Sequence, residues 1–280
     1  MKGKIFSIIG GIYTVKLQDQ SFIKISGAGK LRYLNLTPLV GDDVIVENNQ
    51  VSQILERKNE FIRPKVANID QMILLMSFKE PQFSSFLFDK YLSIVENKKI
   101  TPILFFTKAD LSQDYMIVEQ YRKMNYQCYL INNNNPTYVN DVKRIFKNKY
   151  SVFMGQTGVG KTTTINKLSN NNYQTQAISK ALGRGKHTTR AIHITEFNHG
   201  YLIDTPGFSS LDLDMNKYEL ARSFEQFDKL AQQCKFRSCL HLNETINVCA
   251  IKQAVENGSI PQFRYDNYLK LQNQLTEKEK

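Results

Sequence analysis

The stretch MGQTGVGKTT, Met154 to Thr163, carries glycines, a lysine and threonines at the spacing GxxxxGK[ST]. Residues of these types wrap a phosphate chain. Gly155, Gln156, Thr157, Gly158, Val159 and Gly160 offer backbone N–H groups, and Lys161 neutralises the outer phosphates. Thr162 supplies a hydroxyl for Mg²⁺, and Thr163 lies in the first turn of a helix whose N-terminus favours an anion. An apolar strand, KYSVFM, precedes the loop and the helix TTTINKLSN follows it, so context and letters agree.

Three further segments add chemistry. TKAD, Thr107 to Asp110, ends the apolar run TPILFF and resembles the guanine-reading NKxD motif. There Asp110 accepts from the guanine amide and amino groups, Lys108 lines the base, and Thr107 stands where asparagine is usual. Adenine presents an acceptor where guanine presents a donor, so this pairing favours GTP over ATP. DTPG, Asp204 to Gly207, follows the apolar GYLI and resembles the GTPase motif whose aspartate holds Mg²⁺ through water and whose glycine N–H senses the γ-phosphate. Between them GRGKHTTRA, Gly183 to Ala191, is a switch-type loop in which Thr189, or else Thr188, completes the Mg²⁺ shell. Phe208 follows Gly207, and an apolar side chain there cannot orient an attacking water, so unaided turnover is expected to be slow. His187, or a group supplied by a docked partner, takes that role.

CKFRSCLHLNETINVC holds Cys234, Cys239, His241 and Cys249, a Cys3His set suited to one tetrahedral Zn²⁺ per chain. Four cysteines in 280 residues do not form a disulfide framework.

These residues need elements to hold them. Residues 1 to about 65 read as short strands, IFSIIG, IYTVKLQ, SFIKISG, DDVIVEN and QVSQILE, which predicts an all-β OB-type barrel. Between its strands GAGKLRYLNL carries Lys30, Arg32 and Tyr33 with no acid; it reads as an RNA-contacting loop or as a solvated one. The charged ERKNEFIRPKV marks a boundary. Beyond it, unalternating runs such as QMILLMSF and TPILFFTK alternate with helices, one of them placing Phe88, Tyr91, Leu92 and Val95 on one face. That pattern is an α/β doubly wound domain over 66–214, and 215–280 reads as helical around the cysteines. Lys and Arg exceed Asp and Glu by 37 to 26, a net charge of +11 that suits a polyanionic partner such as RNA. No apolar run reaches the ~18 residues of a membrane span. A soluble cytoplasmic protein is expected, acting as a monomer without a membrane partner.

In chain order the motifs run base, phosphate loop, switch threonine, Mg²⁺. With TPLVGDDV, GRGKHTTR, DTPGF and CKFRSCLH in that order, the chain resembles the RsgA (YjeQ) family of circularly permuted GTPases over nearly its whole length. The resemblance implies a circularly permuted P-loop GTPase domain with an N-terminal OB-fold and a C-terminal helical zinc-binding domain. It also implies binding to the small (30S) ribosomal subunit and its 16S-type rRNA, and GTP hydrolysis to GDP stimulated there during late maturation. The chain departs from the family in two places. Seven residues separate His241 from Cys249 where five are usual, and INNNN at 131–135 replaces a serine-rich base-side loop.

Overall fold

A computed structural model describes residues 1–169, 192–205 and 211–278. The fold resolves into two compact units, one drawn from Met1–Ile73, Asn135–Met154 and Lys161–Ser209, the other from Leu74–Asn134, Gly155–Gly160 and Ser210–Lys280.

The first unit opens with five strands, β1 (Lys2–Ile9), β2 (Ile12–Leu17), β3 (Phe22–Gly27), β4 (Asp43–Glu47) and β5 (Gln50–Ile54). They run in the order β1-β2-β3-β5-β4, and β4 returns to β1 with Lys2 opposite Ile45, so the barrel closes. Ile5, Val15, Ile25, Val44, Val46 and Val51 fill its interior. Asn48 and Asn49, both left-handed at φ 49° and 58°, make the tight turn between β4 and β5. The basic stretch expected as a loop contains a short helix, α1 (Gly29–Tyr33), because Leu31 packs into the barrel core and draws one turn onto it. Tyr33 at its end is 85% exposed.

The charged boundary segment is also ordered. It holds a small hairpin, β6 (Glu60–Phe61) and β7 (Val66–Ala67), and its Arg57 forms a two-pronged pair with the fully buried Asp42, at 2.7 and 2.8 Å. Its charges are thus partly consumed inside the fold, which composition alone does not reveal.

In the second unit, β8 (Gln71–Ser77), β9 (Thr101–Thr107) and β10 (Gln127–Ile131) lie in the order β10-β9-β8, with β10 parallel to β9. Met72 to Met76 and Ile103 to Phe106 are buried throughout, as unalternating strands must be. Two helices follow the expected pattern, α2 (Ser85–Asn97), N-capped by Ser84, and α3 (Met116–Lys123). Phe88, Tyr91, Leu92 and Val95 are all buried.

The chain then re-enters the first unit as α4 (Val139–Lys143), β11 (Tyr150–Gly155), α5 (Lys161–Leu168), β12 (His193–Phe197) and β13 (Gly200–Asp204). β13 runs parallel to β11 and antiparallel to β12, the hairpin turning at the left-handed Asn198 and His199. β12 also pairs with β1 at Ser7 opposite His193, which attaches the barrel to this hairpin. Lys16 of β2 donates to the Tyr201 hydroxyl at 3.1 Å, and Tyr201 stacks on Tyr150 with ring centroids 4.6 Å apart.

The second unit ends in four helices, α6 (Lys217–Ala221), α7 (Glu225–Ala231), α8 (Ala250–Glu256) and α9 (Gln262–Lys278). Arg264 of α9 is buried against Asp89 of α2 at 3.3 Å and lies over the Phe224 ring. Asp89 also accepts from Tyr121 and Asn267, at 2.8 and 2.7 Å. Nearby, Glu96 accepts from the Glu225 backbone at 3.1 Å, and burial pushes its carboxyl up to about 7.

Gly200 is required by a close approach: a Cβ there would stand 1.9 Å from the Phe146 carbonyl. Gly200→Ala is therefore expected to cost about 1–3 kcal/mol in urea unfolding, and an unchanged midpoint would contradict this. Glu96 keeps its proton to about 7 in the fold but to an ordinary 4.5 when unfolded, so the folded state holds more protons between those values. Stability should fall as pH rises through that window, and Glu96→Gln should flatten the dependence.

Candidate nucleotide and metal sites

Within the second unit the base-type motif and the phosphate-type loop are in direct contact. Thr107, fully buried at the carboxyl end of β9, donates its hydroxyl to the Val159 carbonyl at 2.6 Å and lies 3.3 Å from the Met76 carbonyl. Lys108 takes the left-handed conformation, φ 54°, and turns the chain into the short 3-10 helix Ala109–Leu111. Its ammonium donates to the Glu80 carbonyl, while Asp110 presents an exposed carboxylate. Because β10 pairs in register with β9, Ile131 beside Thr107, the asparagine tract leaves the sheet next to this motif. Asn134 donates its amide to Asp110 Oδ2 at 2.9 Å. The resemblance put 131–135 in the place of a base-side loop, but no feature of the asparagine run singles out Asn134 as the partner of Asp110.

The phosphate-type loop is seated by its glycines. A Cβ on Gly155 would stand 2.6 Å from the Leu75 carbonyl, and Gly160 has φ +89° with Asn133 3.4 Å from its Cβ position. Gln156 is half-buried, Thr157 and Gly158 are exposed, and Val159 is buried as the loop's anchor.

In the first unit Lys161, Thr162 and Thr163 form the opening turn of α5, with Lys161 and Thr162 half-buried and Thr163 exposed. Asp204 ends β13, and since β13 is parallel to β11, it leaves the same sheet edge as Met154. His187, Thr188, Thr189, Gly207 and Phe208 lie outside the described residues.

The four cysteine and histidine candidates converge. Ligand atoms of Cys234, Cys239, His241 and Cys249 all lie within 4.8 Å of one another. His241 Nδ1 is 3.3 Å from Cys239 Sγ, 3.4 Å from Cys249 Sγ and 3.8 Å from Cys234 Sγ. Bonds of ~2.3 Å to sulfur and ~2.0 Å to nitrogen place tetrahedral ligands roughly 3.5–3.8 Å apart, so this set is compatible with zinc. The longer spacing before Cys249 is taken up by a 3-10 turn, Ile246–Val248, which returns its thiol to the cluster.

Outer contacts hold the cluster in shape. His241 Nε2 lies 3.3 Å from the Ala221 carbonyl, which, with Nε2 as donor, leaves Nδ1 the lone pair facing the thiols. Glu244 accepts from the Leu240 and Leu242 backbones, both at 2.8 Å, and Tyr265 donates to the His241 carbonyl at 2.7 Å. Burial lowers the His241 pKa to about 4 and raises the Cys239 and Cys249 thiols. A neutral imidazole is ready to ligate, whereas each thiol must release a proton on binding.

The sequence model of the RsgA GTPase family matches residues 54–214, and that of the RsgA N-terminal domain matches residues 2–53. A relative from Mycoplasmopsis agalactiae, named small ribosomal subunit biogenesis GTPase RsgA, is 49% identical over 282 residues, 100% of both chains. The protein of that name from Bacillus subtilis is 39% identical, covering 99% of this chain and 98% of its own. Among solved structures, YloQ, described as a circularly permuted GTPase, superimposes with a TM-score of 0.81 at 33% identity over 99% of this chain and 95% of its own. YjeQ from Thermotoga maritima gives 0.80 at 30% identity, with 98% of each chain covered. With its base-type motif ahead of the phosphate loop and touching it, this chain belongs to the RsgA family of circularly permuted GTPases.

Proposed function

We propose that the chain binds the small ribosomal subunit through its rRNA and hydrolyses GTP to GDP and phosphate there, assisting late maturation. The observation that carries this reading is the Thr107 to Val159 hydrogen bond, which joins a base-reading loop to a phosphate loop in the permuted order. Names of full-length relatives supply the ribosomal context. The work divides among an OB-type segment, 1–65, for RNA; a permuted GTPase segment, 66–214; and a helical zinc-binding segment, 215–280. The net charge of +11 supports a polyanionic partner. No helix among the described residues is long and apolar enough to cross a membrane. In this reading the chain works in the cytoplasm as a monomer.

At the nucleotide, Asp110 accepts from the guanine edge and Lys108 flanks the base. Residues Gly155 to Thr163 bind the phosphates, with Lys161 drawing charge from the γ-phosphate as it is transferred. Thr162 and Thr189 would ligate Mg²⁺, with Asp204 reaching it through water and Gly207 contacting the γ-phosphate. The ion supplies charge neutralisation of the phosphates when bound. His187, or a ribosomal group, orients the attacking water. Cys234, Cys239, His241 and Cys249 would hold one Zn²⁺, which supplies cross-linking of the helical segment.

Lys161→Ala is expected to lower turnover stimulated by small subunits by about a hundredfold or more, read as phosphate release. Undiminished turnover would overturn the site assignment. Cys249→Ser should reduce bound zinc well below the wild-type equivalent in elemental analysis of purified protein, and should lower the melting temperature. Full retention would remove Cys249 from the ligand set.

A further inference from the structure

The asparagine tract after β10 contains a contact that the reading above leaves without a role. Asn134 donates its side-chain amide to Asp110 Oδ2 at 2.9 Å. Its own backbone N–H donates to Asn132 Oδ1 at 2.9 Å, a local turn that fixes where the amide stands. The register of β10 on β9, Ile131 beside Thr107, places the whole tract next to the base-reading loop.

Both residues are exposed, and the hydrogen bond from Asn134 acts directly on the rotation of the Asp110 carboxylate. A guanine edge offers two parallel donors, the ring N1–H and the exocyclic amino group, and needs both carboxylate oxygens in its own plane. Each carboxylate oxygen has two acceptor positions, so the Asn134 amide can occupy one on Oδ2 and leave Oδ1 and the rest of Oδ2 for the base. Asn134 thus pins the rotor without using up the acceptors.

We propose that Asn134 is a positioning residue that orients the Asp110 carboxylate for two-donor recognition of guanine. This rests on the reading of Asp110 as the base reader. The role is one of specificity: a base offering a single donor, such as hypoxanthine, gains less from a carboxylate held in plane than guanine does.

The test measures equilibrium binding of GDP, IDP and ADP to the full-length protein and to Asn134→Ala, Asn134→Asp and Asp110→Ala. Asn134→Asp keeps the side-chain shape and the backbone turn but replaces the donor with an acceptor. Both Asn134 variants are expected to weaken GDP by about tenfold, and to shrink the GDP to IDP affinity ratio by about threefold, with ADP unchanged. In the Asp110→Ala background, Asn134→Ala should have no further effect, since the group it orients is gone. If all three nucleotides weaken in parallel, or if Asn134→Asp binds like wild type, the amide only shapes the loop and the proposal falls. If Asp110→Ala alone leaves GDP binding intact, the base-reader assignment falls and takes the proposal with it. A loss in Asp110→Ala with no effect at Asn134 overturns the proposal alone.

Discussion

The Thr107 hydroxyl and the Val159 carbonyl are 52 positions apart in the chain and 2.6 Å apart in space, and both residues are fully buried. A carbonyl left without a partner in such a place costs about 1–3 kcal/mol, so the bond constrains both loops at once. Thr107 ends a strand buried from Ile103 to Phe106, and its hydroxyl also lies 3.3 Å from the Met76 carbonyl of β8. Val159 is the apolar anchor of the phosphate loop. The base-type loop and the phosphate-type loop are therefore set by one contact, whichever comes first in the sequence.

This contact is why the pairing of the base-type loop with the phosphate-type loop was readable from the sequence. The letters GQTGVG and TKAD each follow an apolar run, and within the second unit their two loops meet through Thr107 and Val159. Cys234, Cys239 and His241 are close in sequence, and Cys249 joined them although its separation was unusual, because a 3-10 turn shortens the path. The parts that escaped depend on partners remote in sequence. Arg57 looked like linker charge until Asp42 was seen to bury its carboxylate against it. The five residues of α1 carry one buried side chain, too few for any periodicity to show. Asn134 lay in a run that the resemblance put on the base side, but which asparagine meets Asp110 depends on the register of β10 on β9.

The C-terminal helices illustrate a different use of polar groups. Arg264, Asp89, Tyr121 and Asn267 form a buried network that joins α9 to α2 and α3. Burying such an ion pair contributes little net stability, because desolvation offsets most of the attraction. The geometry is demanding, however, and a helix slipped by one position along α2 would strand a guanidinium among aromatic rings. Together with the cysteine cluster and its Glu244 and Tyr265 supports, the network gives the helical segment a definite seat within its own unit.

The junction of β1 with β12 has a consequence for biosynthesis. The amino-terminal half of β1 closes the barrel with β4, but Ser7 pairs with His193, and Lys16 bonds to a tyrosine 185 residues further on. A ribosome releasing this chain delivers the barrel long before the hairpin that covers its flank. The nascent barrel can close alone, yet it must carry an uncovered strand edge through most of translation, and its last seam forms only after the hairpin clears the exit tunnel.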